Sequence, residues 1–228
     1  MDKIEEKYSG KFSALGIGVL FMVIALIVQE IIQSLPTLYF LFVENVGVNN
    51  IASVLLNFEK VNIIEYSAFI GIVAGFCQEF SKYVAVDTRR AFLTAYIGLG
   101  FSAVDLAVIL FPLGLARPHL NNFEILIISF NIILSIIFHP STAIILKWGR
   151  SIKRPMGAFL YALIAHALID GGLVYTDLRV IEDSSMYHTF TSIYWGFALF
   201  LTGLSLIIAL KLFGKIDETP APEKPVIY

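Results

Sequence analysis

The chain has 228 residues, of which 57% are hydrophobic and only 15% charged, whereas soluble domains carry about 25% charged residues. That excludes a disordered chain and leaves too few polar side chains to cover a water-facing surface, so lipid is the solvent for most of it. A net charge of −2 rules out the basic field that gathers nucleic acid, and the single cysteine, Cys77, rules out an intrachain disulfide or a zinc ribbon.

In chain order, six stretches are long and apolar enough to cross about 30 Å of hydrocarbon at about 1.5 Å per residue: 12–34, 63–86, 91–113, 123–148, 155–175 and 187–213. The expected fold is all-α, a polytopic bundle of six transmembrane helices forming one membrane domain over 1–213, with a short polar tail over 214–228. No cleavage-site pattern follows the first span, so it is expected to stay as an anchor. Segment 36–59 is interrupted by Glu44, Asn45, Gly47, Asn49 and Asn50. It reads as an outer loop with an interfacial piece, a seventh span being the alternative.

The positive charges support six. Lys3, Lys7, Lys11, Lys82, Arg89, Arg90, Lys147, Arg150, Lys153, Arg154, Lys211, Lys215 and Lys224 fall on one side, thirteen against Lys60, Arg117 and Arg179 on the other. Lys and Arg concentrate in short cytoplasmic loops, so both termini are expected in the cytoplasm of a multi-pass cell-membrane protein. A seventh span would scramble this partition.

Ionisable groups at bilayer depth are costly and therefore candidates for function. They are Glu30, Glu79 with Lys82, Asp105, His139, and His166 with Asp170. Measured from the cytoplasmic helix ends, Glu79, His139 and His166 lie at depths of about 10, 13 and 16 Å, one layer on three helices. Asp105 and Asp170 come out deeper, at about 21–22 Å, and Glu30 near the outer interface. A carboxylate and two imidazoles in one layer suit amide hydrolysis, with water activated by the acid and an oxyanion stabilised by an imidazole. The spacing equally allows a zinc site of His139, His166 and Asp170, or interhelical hydrogen bonding with no chemistry at all. Gly71 and Gly75, four apart, permit close helix approach, and Cys77 reads as a buried thiol.

The pentapeptide from Gln78 to Lys82 resembles the Glu-Glu-x-x-Arg/Lys motif of the glutamic-type intramembrane proteases, especially the YhfC and PrsW branches related to the CAAX prenyl endopeptidases. The glycine-rich run from Ile97 to Asp105, Phe138-His139 with Ser141, and His166-x-x-x-Asp170 are similar to further motifs of that superfamily, in the same order. The resemblance implies a catalytic trio of Glu79, His139 and His166, with Gln78, Lys82, Asp105 and Asp170 supporting it. It also implies a transmembrane or membrane-anchored protein substrate and no obligatory metal, zinc being the alternative. Gln78 departs from the pattern, because it stands where the superfamily has its first acid and cannot ionise. Gln-Glu-x-x-basic also looks like the Aph scaffold subunit of γ-secretase, a non-catalytic relative, which implies partner subunits in the membrane instead of a substrate.

Overall fold

Backbone polar groups in hydrocarbon must find partners within the chain, and this chain meets that demand with helices alone among the described residues. The computed structural model describes residues 2–43, 47–86, 91–116 and 119–216. Glu44, Asn45, Arg89, Arg90, Arg117, Lys224 and the tail from 217 onward lie outside them. The helices are α1 (Asp2–Gln33), α2 (Leu35–Val43), α3 (Ile51–Val61), α4 (Ile63–Ala85), α5 (Ala91–Ala116), α6 (Asn122–Ser151), α7 (Pro155–Glu182) and α8 (Tyr187–Phe213).

Six segments are long and apolar enough to cross a membrane: Gly10–Val43, Ile63–Ala85, Ala91–Phe111, Asn122–Ser151, Pro155–Glu182 and Ser184–Phe213. The all-α, six-helix reading therefore stands, with no seventh such helix among the described residues. Three boundaries differ from expectation. α1 begins at Asp2 and α7 runs on to Glu182. The segment read as an outer loop is largely helical: Ser34 N donates to Glu30 O and Leu38 N to Ser34 O, both at 3.0 Å, so hydrogen bonding runs through the α1–α2 junction. Pro36 sits in the first turn of α2, where its missing N–H removes little.

Local signals fix the other ends. Asn121 caps α6, its side chain accepting from Glu124 N at 3.0 Å while Asn121 N donates to Glu124 Oε2 at 2.8 Å. The turn between α6 and α7 is closed by Arg154 N donating to Gly149 O at 2.8 Å, and Pro155 opens α7 with its φ already set for a helix.

Helices α1, α4, α7, α6 and α5 close a ring, and α8 packs outside it against α6 and α7. Large apolar side chains such as Phe12, Phe42, Leu115 and Ile193 point outward, whereas Gln78, Glu79, Lys82, Thr94, Ser135, His139, Thr142 and His166 are buried. A polar interior inside an apolar shell is the pattern lipid demands. The α4–α7 crossing is close and extensive. A Cβ on Gly71 would strike the carbonyl of Ala167, and one on Gly75 would lie 2.9 Å from Leu163 O, so only glycine lets these backbones meet. Glu79 is one turn beyond Gly75 on the same face, and this places it against His166 of α7.

Candidate active site

Glu79 and Lys82 of α4 are both fully buried and joined at 2.6 Å between Nζ and Glu79 Oε1. The same ammonium donates to Thr142 Oγ1 at 2.8 Å and stands 3.0 Å from Nδ1 of His139. All three of its N–H donors are thereby used. Its charge is further balanced by the faces of Phe101 and Phe138, whose ring centroids lie 5.1 and 5.9 Å away. Glu79 Oε1 also lies 2.7 Å from Nδ1 of His166, while Oε2 has no partner although it is buried.

The far nitrogens of the two histidines meet carboxylates at longer range. Nε2 of His139 is 3.3 Å from Asp105 Oδ2, and Nε2 of His166 is 3.4 Å from Asp170 Oδ2. The six groups form one unbroken chain, Asp105–His139–Lys82–Glu79–His166–Asp170, with its short contacts in the middle and its long ones at both ends. Asp105 and Asp170 are therefore direct partners of the histidines rather than a separate deeper layer; a side chain spans the one-turn offset that Cα depth alone implied.

The hydrogen-bond network assigns the ring protons. An ammonium can only donate, so Nδ1 of His139 accepts and the neutral ring carries its proton on Nε2. Glu79, held as a carboxylate by Lys82, can only accept, so Nδ1 of His166 carries the proton and Nε2 of the neutral ring is bare. When neutral, the two imidazoles thus take opposite tautomers, and the Asp170 carboxylate beside Nε2 of His166 favours a second proton on that ring.

A cavity of about 300 Å³ reaches this cluster and is lined by both histidines, Asp105, Asp170 and Gln78, but not by Glu79. Its walls come from the C-terminal part of α1, the middles of α4, α6 and α7, the C-terminal half of α5 and Tyr194 of α8, and from Gln78, His139 and His166 the lining runs back to Ile70 and Asn131 and on to Val174. It therefore extends from the cluster away from the ends that carry most of the Lys and Arg. The polar side chains Gln29, Gln33 and Asn131, which the sequence reading did not weigh, line it. Gln78 Nε2 donates to Gln29 Oε1 at 3.0 Å, and Gln33 Nε2 to Ile70 O at 3.0 Å.

Thr142 is the site residue that sequence reasoning missed. Three residues after His139, it shares that histidine's face, and this spacing was the available signal. Ser141 instead turns its hydroxyl back to Ile137 O at 2.7 Å, outside the site. Cys77 is a buried free thiol. Trp195 of α8 is buried against Tyr194 and Phe130.

The metal-ligand set also changes. Donor atoms of Glu79, His139 and His166 lie within 4.8 Å of one another and could hold an ion. Asp170, taken from its i, i+4 spacing, is replaced by Glu79 in that set. However, the Lys82 ammonium already stands against Glu79 and His139, so a second cation there would face it at close range in a medium that screens little. As folded, the set suits the lysine better than a zinc ion. Comparison of the chain with protein-family models, with curated proteins and with solved structures yields no match.

Proposed function

We propose that the chain is an intramembrane endopeptidase that hydrolyses a peptide bond of a transmembrane or membrane-anchored protein, in keeping with the resemblance to the glutamic-type superfamily. The observation that carries the reading is the pair of histidines, one against the Lys82 ammonium and the other against the Glu79 carboxylate, lining one cavity among the spanning helices. A base and a proton donor at one cavity floor are what amide hydrolysis requires.

In this reading a water enters at the long contacts beside the Nε2 atoms. His166 Nε2 takes a proton from it as its oxygen attacks the carbonyl carbon, and His139 Nε2–H donates to the oxygen that becomes negative. The C–N bond then breaks, His166 returns the proton to the departing nitrogen, and an acid and an amine remain. Glu79 acts through His166 as a positioning residue: it fixes the tautomer and stabilises the imidazolium, as the acid of a catalytic triad does. Lys82 does the corresponding work for His139, Asp105 accepts from His139 Nε2–H, and Asp170 accepts from His166 Nε2 once that nitrogen has taken the proton.

Both termini are assigned to the cytoplasm on the thirteen-to-three charge partition. The cavity then faces the non-cytoplasmic half. A second reading, a non-catalytic membrane scaffold, is favoured by one observation: the cavity wall carries Gln78 where the superfamily has an ionisable acid. Cleavage of a co-expressed single-span reporter separates the two. An endopeptidase cuts it and loses the activity in His166→Ala at unchanged expression, whereas a scaffold leaves it intact.

A further inference from the structure

The charges around the cavity do not balance. Glu30, Asp105 and Asp170 line it, and no Lys or Arg does. Asp105 and Asp170 expose 29% and 32% of their side chains there. Lys82 is 0% exposed behind the histidines and committed to Glu79. Four carboxylates, counting Glu79, thus share one ammonium and two imidazoles. Glu30 makes no ion pair among the described residues. Glu30 stands near the outer interface, but Asp105 and Asp170 lie deeper among the helices, where excess negative charge is costly and a cation would offset it.

A second observation indicates where the rest of a ligand would bind. Gln78 is only 4% exposed and lines the cavity, and its Oε1 accepts no hydrogen bond. A buried amide oxygen without a donor is unusual and costs stability until one arrives. Gln29 and Gln33 bring further amide groups to the same wall. The lining therefore offers carboxylates for a positive charge and amide acceptors for an N–H, and it lacks a cation for a negative group.

We propose that the cavity selects a peptide segment bearing a protonated primary amine, a lysyl side chain or a free amino terminus. The ammonium lies on the wall of Glu30, Asp105 and Asp170, and a peptide N–H donates to Gln78 Oε1. The proposal rests on the endopeptidase reading for its substrate class, but the recognition is a binding event that can be measured without turnover. Electrostatic complementarity of this kind chiefly confers specificity.

The test uses the full chain in nanodiscs. Calorimetry compares a capped leucyl-lysyl-leucine amide, the same peptide acetylated on the lysine, and calcium chloride alone. The lysyl peptide is expected to bind at least ~10-fold more tightly than its acetylated twin, and Glu30→Gln, an exposed substitution that leaves the thermal midpoint in place, is expected to weaken it. A free-amine peptide lacking lysine tests the amino-terminal source. Equal affinity for the lysyl and acetyl-lysyl peptides, affinity untouched by Glu30→Gln, or saturable binding of calcium that the peptide does not displace would overturn the proposal. Binding of the lysyl peptide without cleavage of any reporter would overturn the endopeptidase reading and leave the cation selectivity standing. Equal cleavage of lysyl and acetyl-lysyl reporters would do the reverse.

Discussion

The ammonium of Lys82 lies 3.0 Å from Nδ1 of His139 and 2.6 Å from Oε1 of Glu79, so one buried side chain from α4 both neutralises the acid and sets the tautomer of a histidine on α6. Removing it strands Glu79 as a buried charge, which typically destabilises by about 3–5 kcal/mol. Lys82→Met should lower the unfolding free energy in mixed micelles by that order, and Glu79→Gln added to it should recover much of the loss. A double-mutant cycle measures the coupling; additive losses would show that the contact does not carry the stability.

The opposite tautomers are directly observable. In the protein labelled with ¹⁵N-histidine, His139 should show a bare Nδ1 and a protonated Nε2, and neutral His166 the reverse, with Glu79→Gln perturbing His166 far more than His139. Identical tautomers at the two positions would remove the base-and-donor pair on which the proposed mechanism depends.

Metal should be dispensable. With the Lys82 ammonium against two of the three donor side chains, chelators are expected to leave reporter cleavage intact, and elemental analysis of purified wild type to find no stoichiometric zinc. Lys82→Gly frees the trio Glu79, His139 and His166, a set of the kind that binds zinc with an open position, and should gain zinc affinity. Cleavage lost to chelation and restored by zinc would overturn the metal-free mechanism.

Much of this is legible in the sequence. Hydropathy located the six long helices because spans of apolar residues have no other solvent, and the matched depths of Glu79, His139 and His166 marked three groups that do meet. Helix rotation was not legible, since a residue's depth says nothing about which way it faces. That is why Thr142 was missed, and why Asp170 was placed in a ligand set that Glu79 occupies instead. In segment 36–59 the helices were not legible, because polar residues at 44–50 masked α2 and α3 on either side.

Topology follows from charge. Reporters fused to Met1 and to Tyr228 should both be found on the cytoplasmic face. Termini on opposite faces would break the six-span path and turn the cavity toward the other side of the membrane.

The central claim is most directly tested by reconstituting the purified chain in liposomes with a single-span reporter in H₂¹⁸O and weighing the products. Wild type should release two fragments, the new carboxyl terminus carrying one ¹⁸O from water. Glu79→Gln should slow release by about 10⁴-fold, the loss seen when the acid that fixes a catalytic histidine's tautomer becomes an amide, while the protein stays folded. No cleavage by wild type, or equal cleavage by Glu79→Gln, would contradict the account.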